Sequence, residues 1–311
     1  MINLAKTKIL ITGGAGLLGR SIVEKLLQRG VPRENIFIPR SKERDLRIWE
    51  NCVAVVASAD VVIHLAAITG NLELHRNRPA DVFYENLLMG VQLLEAARQA
   101  GVEKFVGIGT AAEYPEQLEA PFKEEAIWQG YPQRVHAPYA IAKKMLLAQG
   151  MAYHAQYGFN AIHLLLTNIY GPQERAESGY VIPQVIKKII DAQKKKQDFI
   201  QIWGSGNSRR DFLYAEEAAE GVLLATERYD KPDPVNIGSG IDITIKDLVR
   251  KLCVAMDYHG EVRFDSTKPE GQLCRLLDTT KAEQEFGFRA STSIDFGLKK
   301  TIEWFREAYK T

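Results

Sequence analysis

Lys8-Ile9-Leu10-Ile11-Thr12-Gly13-Gly14-Ala15-Gly16-Leu17-Leu18-Gly19 lies near the start of this sequence and decides its fold. An apolar run of strand type passes directly into a glycine-rich turn, and apolar residues at helical spacing follow at Ile22, Val23, Leu26 and Leu27. Glycines let a backbone approach a phosphate closely, and the N-terminus of a helix attracts its negative charge. The alternative, a plain strand-to-helix loop, is disfavoured by the position on the first strand of a βαβ unit. We therefore predict a dinucleotide pyrophosphate site at Gly13, Gly16, Leu17, Leu18 and Gly19.

A second motif is Tyr139-Ala140-Ile141-Ala142-Lys143, with Thr110 upstream at the end of Gly107-Ile108-Gly109-Thr110. Residues four apart on a helix share a face, so the Lys143 ammonium can lie beside the Tyr139 hydroxyl. A nearby cation favours the phenolate of a tyrosine, which ordinarily titrates near ~10. This spacing also arises by chance on amphipathic helices, so by itself it is a weak indication. Together with the glycine turn it predicts Thr110, Tyr139 and Lys143 as the catalytic residues of a proton transfer.

With both motifs present, the chain resembles the extended short-chain dehydrogenases/reductases, in their sugar-nucleotide epimerase/dehydratase branch. The resemblance extends over nearly the whole sequence. It is carried by residues 12–19, His64-Leu65-Ala66-Ala67, Glu85-Asn86-Leu87, Thr110, Tyr139 with Lys143, Thr167-Asn168-Ile169-Tyr170-Gly171-Pro172, Trp203-Gly204-Ser205-Gly206 with Arg210-Asp211-Phe212, and Lys268-Pro269-Glu270-Gly271. The resemblance implies further cofactor contacts at Leu65, Ala66, Ala67 and Asn86.

Alternating short β-branched segments and longer helical patterns predict an α/β fold, with a Rossmann-type doubly wound parallel sheet. Strands are expected near residues 36–38, 61–63, 105–108 and 162–166. Beyond residue 170 prolines punctuate shorter elements. We therefore predict residues 1–170 as the dinucleotide-binding domain and residues 171–311 mainly as a smaller, mixed α/β substrate lobe. Later segments, about 200–240, are expected to return to the first domain, with a strand near Val235 to Ile237 in its sheet.

Composition excludes several function classes. A chain of 311 residues that is 46% hydrophobic can bury a sizeable core. A formal net charge of +1 provides no field that would attract nucleic acid or a membrane surface. The six histidines lack ligand spacing, so no metal site is expected. Scattered cysteines, the absence of a long apolar stretch and a first strand close to the N-terminus lead us to expect a cytoplasmic protein.

The second predicted strand, Ile36-Phe37-Ile38, ends in Pro39-Arg40-Ser41-Lys42. Sites for NAD usually place an acid there, about 20 residues after the glycines. Arg40 and Ser41, with Lys42, instead offer positive charge and a hydroxyl to a 2′-phosphate, and a guanidinium suits phosphate well. We therefore predict NADP, as NADPH, although these residues could also be loop charges without a partner. Asp45-Leu46 resembles the family's acid–leucine pair near the adenine.

Within the branch, the chain is most similar to the GDP-fucose synthase family, whose NADPH-dependent members epimerise C3 and C5 of a GDP-4-keto-6-deoxyhexose and reduce C4. Five segments carry this likeness: residues 109–115, 137–143, 167–172, 181–183 and 268–271. That family has a cysteine as epimerisation base and a histidine just before Val-Ile-Pro as its acid partner. Ala112 and Tyr180 occupy these places here. Epimerisation needs groups that remove and return a carbon-bound proton, and an alanine methyl does neither.

The resemblance and these departures predict an NADPH-dependent C4-keto reductase of a nucleotide-activated 4-keto sugar, without 3,5-epimerase activity. The basic positions among the implied substrate contacts suit a diphosphate. Trp203 is interpreted either as core or as a platform for the base. The implied contacts are Ala112, Asn168, Tyr180, Val181, Lys188, Trp203, Arg210, Lys268 and Arg275.

Three alternatives stay open. In the first, a full epimerase-reductase uses Glu113, His136 or Tyr180 in place of the missing pair. The second is a 4-epimerase or dehydratase with tightly bound NAD, which Arg40 and the lack of an acid pair beside Thr110 disfavour. The third is a dinucleotide-binding regulator on the same fold, which the intact tyrosine–lysine pair disfavours. The nucleotide base, the choice of hexose or heptose and the C4 configuration of the product also stay open.

A homodimer is expected by analogy with the family, in which two helices form a four-helix interface. These helices correspond to residues 79–100 and to the helix that starts near Tyr139. Apolar positions that could serve the interface are Leu87, Val91, Leu94, Met145, Leu146 and Met151.

Overall fold

The computed structural model describes residues 2–268 and 271–309. Pro269 and Glu270, which belong to the last block of the family resemblance, lie outside the described residues. Within these ranges, no helix combines the length and the apolar character needed to cross a membrane.

Strands and helices alternate along the first half of the chain, as the sequence pattern predicts. The strands are β1 (Ile9–Thr12), β2 (Ile36–Phe37), β3 (Val61–His64), β4 (Lys104–Thr110), β5 (Ala161–Leu166), β6 (Asn168–Tyr170), β7 (Phe199–Trp203), β8 (Arg209–Tyr214), β9 (Val235–Ile237), β10 (Asp242–Thr244), β11 (Glu261–Asp265) and β12 (Cys274–Arg275). The helices are α1 (Leu17–Gln28), α2 (Trp49–Val56), α3 (Leu72–Asn77), α4 (Pro79–Gln99), α5 (Ala137–Tyr157), α6 (Val181–Lys195), α7 (Ala215–Arg228), α8 (Ile245–Ala255), α9 (Thr280–Phe286) and α10 (Ile294–Ala308).

The main sheet has the strand order β2-β1-β3-β4-β5-β9, and every neighbouring pair in it is parallel. The central strands β1, β3 and β5 are buried along their whole length, because helices cover both faces. One face packs against α1, α7 and α9, and the other packs against α2, α4 and α5. The predicted Rossmann-like doubly wound fold is confirmed.

Of the segments expected to return to the first domain, Val235–Ile237 does so as β9 and pairs with β5. Phe199–Trp203 does not, because β7 pairs with β11 in a separate two-stranded sheet. A further sheet contains β10, β8 and β12, and β6 is attached to it through β8. The second core lies among α6, α8, α10 and these strands. The smaller C-terminal region therefore has a hydrophobic core distinct from those on the main sheet.

The two helices expected to form a dimer interface pack against each other within the chain. Leu94 and Leu146 are buried in the core between them, so both were wrongly assigned to the interface. Burial explains the correction, since each of these leucines faces the sheet rather than the outside. The other predicted interface positions, Leu87, Val91, Met145 and Met151, are partly exposed.

Candidate active site

The glycine turn connects β1 to α1 at the carboxyl edge of the main sheet. Gly13 has φ +70°, and a Cβ there would lie 2.8 Å from the backbone nitrogen of Ala66. A Cβ at Gly19 would lie 2.5 Å from the Cα of Gly14. Gly16 caps α1 without a side chain over the helix N-terminus, where Leu17 and Leu18 begin the helix. The turn is therefore built for close backbone approach and leaves helix N–H groups available to an anion.

The segment that follows β2 lies against this turn. The side chain of Ile38 reaches Gly14, since a Cβ at Gly14 would come within 2.7 Å of the Ile38 Cγ2. Arg40 and Ser41 follow in an exposed turn, in which the Arg40 carbonyl accepts hydrogen bonds from the backbone of Glu43 and Arg44. Both predicted 2′-phosphate ligands thus lie at the sheet edge beside the glycine turn.

Asp45 and Leu46, the predicted acid–leucine pair, both make contacts within the protein. The Asp45 carboxylate accepts hydrogen bonds from Arg47, the shortest at 2.7 Å, and this guanidinium lowers the pKa of Asp45. Arg47 also bonds Glu85 at 2.8 Å. The Leu46 side chain is buried in the core between the sheet and α2. Any contact of Asp45 and Leu46 with a cofactor therefore stays a prediction.

Asn86 on α4 holds the loop that follows β3. Its Oδ1 accepts from the Ile68 nitrogen at 2.8 Å, and its Nδ2 donates to the carbonyls of Ile68 and Val82. Thr12 anchors the start of the same loop, because its hydroxyl accepts from the Ala66 nitrogen at 3.2 Å and bonds His64 at 2.8 Å. Leu65, Ala66 and Ala67 are partly exposed in this loop. Asn86 thus positions the predicted cofactor contacts through the backbone.

Thr110 ends β4 and caps the short 3₁₀ turn Ala111–Glu113. Its hydroxyl accepts from the Ala112 nitrogen at 3.3 Å, and its own nitrogen donates to Glu113 at 2.8 Å. Glu113 is 0% exposed, and its Oε2 lies 3.1 Å from the His163 ring. Its carboxylate is thus held behind the site. Glu113 was therefore a wrong choice as an alternative epimerisation base, because both of its oxygens face the interior.

Tyr139 and Lys143 lie one turn apart at the start of α5, which packs against the turn capped by Thr110. Burial, more than any other cause, raises the pKa of Tyr139, and the negative charge of Glu113 adds to this. The expected shift of the Tyr139 pKa towards the phenolate is therefore wrong for this structure, since burial raises this pKa instead. Burial also lowers the pKa of Lys143 to about 8, against the opposing effect of Glu113. Tyr139 is held in the protonated form, which can donate.

Thr69, which sequence reasoning missed, lies in the loop after β3 and contacts two tyrosines. Its hydroxyl lowers the pKa of the Tyr139 phenol, against the larger and opposite effect of burial. It also lies 3.3 Å from the hydroxyl of Tyr180. Tyr180 immediately precedes α6. No sequence motif marks Thr69, because only the fold brings the three hydroxyls together.

Two histidines flank Tyr139. The ring of His75, on α3, lies 5.6 Å from the Tyr139 ring and 5.0 Å from the His136 ring, between ring centroids. His136 caps α5, and its Nδ1 lies 3.0 Å from the Oε1 of Gln133, which also accepts from Arg275 at 3.5 Å. Because this amide oxygen is an acceptor, His136 Nδ1 carries the proton. Burial, with the charge of Arg275 next, lowers the pKa of His136 to about 3.

Arg210 and Arg275 are directly paired residues on the adjacent strands β8 and β12. Burial lowers the pKa of Arg275 to about 9, and the charge of Arg210 contributes. Among the described residues, the Arg275 Nε is buried without a hydrogen-bond partner. Two guanidiniums side by side repel each other unless an anion lies between or beside them. This pair therefore fits a negatively charged ligand.

The other predicted substrate contacts have local contacts of their own within the protein. Lys188 on α6 donates to the carbonyl of Gln201 at 2.7 Å, and Asn168 donates to the carbonyl of Asp211 at 2.9 Å. Trp203 is 63% exposed, which excludes its interpretation as a core residue, and the Lys268 ammonium lies 5.8 Å from its ring centroid. Ala112 is buried beside Thr110, and Val181 is the first residue of α6.

The fold and this site define the class of protein. The chain belongs to the NAD dependent epimerase/dehydratase family, which it matches over residues 9–238. It is similar to a GDP-L-fucose synthase of Sinorhizobium fredii (strain NBRC 101917 / NGR234), with 32% identity over 98% of this chain and 97% of the relative.

Two solved structures from Campylobacter jejuni are similar over nearly their whole length. One is a GDP-6-OMe-4-keto-L-xylo-heptose reductase, with a TM-score of 0.90, 25% identity and coverage of 98% of this chain and 99% of the other. The second is a GDP-mannoheptose C4 reductase with NADP bound, with a TM-score of 0.89, 26% identity and coverage of 100% of both chains.

Proposed function

We propose that this protein is an NADPH-dependent reductase of the C4 carbonyl of a GDP-activated 4-keto sugar, and that it does not epimerise C3 or C5. The observation that carries the proposal is the position of Tyr139 at the start of α5, which packs on the turn capped by Thr110, together with a buried alanine at position 112. Tyr139 can act as a general acid beside Thr110, which caps the 3₁₀ turn. At position 112, the methyl group of alanine cannot remove a carbon-bound proton.

The chain has a glycine turn, a helix N-terminus and a basic turn that together could bind a dinucleotide. The glycine turn has no room for side chains at Gly13 and Gly19, and α1 presents its N-terminus there. Arg40 and Ser41 would hold the 2′-phosphate, which distinguishes NADP from NAD. The bound NADP in the Campylobacter C4 reductase that matches the whole of this chain agrees with this choice. When bound, NADPH supplies the hydride that reduces the carbonyl carbon.

The protein's own residues handle the proton. Tyr139 is held protonated by burial, so at neutral pH it can donate to the oxygen that gains charge at C4. Thr110 would orient that oxygen through its hydroxyl, which is fixed at the N-cap of the 3₁₀ turn. Lys143 would hold the nicotinamide ribose, and its ammonium is mostly charged below about pH 8 because its pKa is lowered only to about 8.

The adjacent guanidiniums of Arg210 and Arg275 support an anionic substrate. Arg275 has a buried Nε without a partner among the described residues, and a diphosphate oxygen would satisfy it. The names of the three similar proteins described above, each an enzyme of a GDP sugar, support guanosine diphosphate as the carrier. The exposed Trp203 offers a face on which the base could stack.

Four positions support the proposed absence of an epimerase pair. Ala112 has no titratable group, and Glu113 faces His163 in the interior. His136 has a pKa lowered to about 3, which makes it too weak a base for a carbon-bound proton at neutral pH. Burial raises the pKa of Tyr180, so it stays a neutral phenol.

The test of the reductase function is a panel of 4-keto nucleotide sugars assayed by NADPH oxidation. It should contain GDP-linked 4-keto hexoses and heptoses, with a UDP-linked 4-keto sugar as the control for the base. We expect oxidation with at least one GDP sugar. If wild-type protein oxidises NADPH with none of them, the proposed function is wrong.

The test of the missing epimerase step is turnover in D₂O followed by mass spectrometry of the product. Without a base, no deuterium should enter at C3 or C5 beyond an enzyme-free control, and both carbons should keep the configuration of the substrate. Enzyme-dependent deuterium at either carbon would favour a bifunctional epimerase-reductase, as in the GDP-L-fucose synthases to which the chain is similar. If exchange is absent, the double variant Ala112→Cys with Tyr180→His shows whether these two positions suffice to introduce it.

A further inference from the structure

A buried carboxylate lies directly behind the residue that would orient the substrate carbonyl. Glu113 is 0% exposed, and its Oε1 accepts a hydrogen bond from the backbone nitrogen of Thr110 at 2.8 Å. The Thr110 hydroxyl in turn accepts from the Ala112 nitrogen at 3.3 Å. Glu113 therefore fixes the peptide group from which the Thr110 side chain projects. It has no part in the proposed proton transfer, although an ionisable group is costly to bury.

His163 holds the same carboxylate from the neighbouring strand β5. It is 3% exposed, and its Nε2 lies 3.1 Å from the Oε2 of Glu113 and 3.4 Å from the Oε1. Its Nδ1 is buried without a hydrogen-bond partner among the described residues. A carboxylate only accepts hydrogen bonds, and a second ring proton on Nδ1 would be a buried donor with nothing to receive it. The contacts therefore favour the neutral Nε2–H tautomer of His163, which donates to Glu113.

The strand that ends at Thr110 leaves room for this pair of side chains. A Cβ at Gly109 would collide with the His163 Nε2 and would lie 2.5 Å from the Glu113 Oε1. A Cβ at Gly107 would lie 3.3 Å from the His163 Nδ1. Both glycines belong to β4, which pairs with β5 over this stretch. The absence of a side chain at position 109 is therefore what lets His163 reach Glu113 across the strand.

We propose that Glu113 and His163 are positioning residues of the reductase. His163 orients the Glu113 carboxylate, and this carboxylate fixes the N–H of Thr110 and so aims the Thr110 hydroxyl at the substrate oxygen. The inference rests on the proposed reductase function and deepens it. Both side chains are buried, so each acts through Thr110 rather than on the substrate itself.

The hydrogen bonds between Thr110 and Glu113 are those of a capping box, but the setting differs from that of an ordinary helix cap. The capped turn, Ala111–Glu113, has three residues, so it contains little helical structure for a cap to stabilise. The box also has a third, buried member in His163, which a cap does not require. Positioning of the Thr110 side chain accounts for both features.

The charge of Glu113 also suits the protonation states that the reaction needs. Burial is the main influence on both catalytic partners, since it lowers the pKa of Lys143 to about 8 and raises the pKa of Tyr139. Glu113 opposes the first of these effects and adds to the second. A negative charge behind the site thus favours an ammonium that holds the ribose and a phenol that donates a proton.

The first experiment measures amide exchange at Thr110 and needs no substrate. In protein labelled with ¹⁵N-threonine, the Thr110 amide signal is assigned by its loss in Thr110→Ser. Its exchange with D₂O should be faster by about tenfold or more in Glu113→Ala, the loss of one hydrogen bond to a charged group. Glu113→Gln keeps an oxygen acceptor and should retain most of the protection. Unchanged exchange in Glu113→Ala would overturn the proposal.

A second buried carboxylate provides the matched control. Glu124 is 6% exposed, and its Oε1 accepts from the backbone nitrogen of Asn236 on β9 at 2.9 Å. Glu124→Ala removes a comparable hydrogen bond elsewhere in the fold, so it should lower the melting temperature and leave exchange at Thr110 unchanged. Equal acceleration at Thr110 in Glu124→Ala and Glu113→Ala would mean general loosening of the fold, and would overturn the specific role of Glu113.

The tautomer of His163 tests the other half of the pair. In protein labelled with ¹⁵N-histidine, the His163 ring signals are assigned by their loss in His163→Gln. The wild-type protein should show the Nε2–H tautomer. The Nδ1–H tautomer in the wild-type protein would overturn the assignment of His163 as the donor to Glu113.

The final experiment uses turnover and a double-mutant cycle. Glu113→Ala should lower kcat about tenfold with an unchanged KM for NADPH, whereas Glu113→Gln should stay within about threefold of the wild type. Because Glu113 acts through the Thr110 hydroxyl, Glu113→Ala should have little further effect on kcat in a Thr110→Ala background. Effects that simply add would indicate a separate structural role and overturn the proposal. If Glu113→Ala does not fold, His163→Leu, which removes the donor, and His163→Gln, which keeps one, make the same comparison.

Failure of this inference differs from failure of the proposed function. Wild-type kcat in Glu113→Ala would contradict the positioning role of Glu113 while leaving the reductase function intact. If the wild-type protein reduces no 4-keto sugar, the proposed function fails, and amide exchange at Thr110 still decides whether Glu113 fixes this residue.

Discussion

At the scale of single residues, burial decides which groups around Tyr139 carry protons. It raises the pKa of Tyr139, lowers the pKa of Lys143 to about 8 and lowers the pKa of His136 to about 3. At neutral pH the site therefore contains a neutral phenol, a cation and a neutral imidazole. A reductase needs a protonated donor at the start of the reaction, and this combination provides one.

The first prediction concerns this donor. Tyr139→Phe should keep NADPH binding but lower kcat by roughly 10² or more, the typical contribution of a placed general acid. Binding is measured by cofactor fluorescence and turnover by NADPH oxidation with the 4-keto sugar that the wild-type protein reduces. Unchanged turnover would remove Tyr139 from the mechanism. The matched control is Tyr131→Phe, which changes an exposed tyrosine.

A second prediction concerns the choice of cofactor. Arg40→Ala should raise the KM for NADPH by about tenfold and leave the KM for NADH nearly unchanged, because only NADPH loses a charged partner for its 2′-phosphate. Arg44→Ala, which removes another exposed charge just beyond the same turn, is the control and should change neither constant by as much. Equal use of NADH and NADPH by the wild-type protein would mean that this turn has been misinterpreted.

Site residues that belong to a sequence motif could be predicted from the sequence. Site residues that only the fold brings together could not. Thr110, Tyr139 and Lys143 follow from motifs on β4 and α5. Thr69 and His75 have no such spacing, because they approach Tyr139 through a loop whose course depends on Asn86 and Asn71. The direction of the pKa shift of Tyr139 was also wrong from sequence, since desolvation depends on packing that no motif encodes.

At the scale of elements, the segment between β6 and α6 connects the glycine turn to the cleft. Gln173, which has φ 68°, accepts a hydrogen bond at 3.0 Å from Arg20, and Arg20 also donates to the Ala15 carbonyl within the glycine turn. The same segment ends at Tyr180, which contacts Thr69. Changes in this segment can therefore affect both the cofactor cradle and the site of proton transfer.

A buried carboxyl in this segment gives the third prediction. Burial raises the pKa of Glu174 from the ordinary 4.5 to about 8, and its Oε2 is buried without a hydrogen-bond partner among the described residues. The folded protein thus binds more protons than the unfolded chain between these two values. Stability is fully present below the unfolded pKa and is lost as the pH rises through the folded pKa.

Replacing Glu174 with glutamine should remove this dependence. From about pH 5 to about pH 8, the melting temperature of the wild-type protein should fall more than that of Glu174→Gln, by roughly 3 °C or more. Glu177→Gln, at an exposed carboxyl in the same segment, serves as the control and should melt like the wild type at both pH values. Parallel curves for wild type and Glu174→Gln would show that Glu174 is ionised throughout.

The pairing of strands could be predicted from the sequence where a strand is buried on both faces, and not elsewhere. The strands of the main sheet are continuous apolar runs, so their place in a covered parallel sheet follows from the sequence. Phe199–Trp203 instead alternates between exposed and buried residues, and its own pattern does not reveal that it pairs with β11. The short strands β10 and β12 leave too few residues to show any period.

At the scale of the whole molecule, the site is assembled from distant parts of the chain. The main sheet supplies the glycine turn and Thr110, α5 supplies Tyr139, and β8 and β12 supply the arginine pair. The described part of one chain thus contains every residue to which a catalytic role is assigned. Association of two chains would stabilise the fold without completing the site.

The last prediction is that the protein is a homodimer that associates through the outer face of α4 and α5. Tyr84, which is 61% exposed, together with Leu87 and Val91 forms an apolar stripe at helical spacing on α4. An interface of about 800 Å² per partner, the usual size for a stable dimer, would cover such a stripe. Light scattering at micromolar concentration should give the mass of two chains, and a single monomeric species would contradict the prediction.

A charged residue in the stripe tests where the two chains meet. Val91→Glu would place carboxylates in the interface, where burying them without partners is costly, so this variant should be largely monomeric. Val254→Glu adds the same charge on α8 at a residue that is 78% exposed, and should stay dimeric. Because the assigned catalytic residues belong to one chain, monomeric Val91→Glu should still bind NADPH, but it should melt at a lower temperature than the wild type. If Val91→Glu stays dimeric while Val254→Glu dissociates, the interface lies at α8 rather than at α4 and α5.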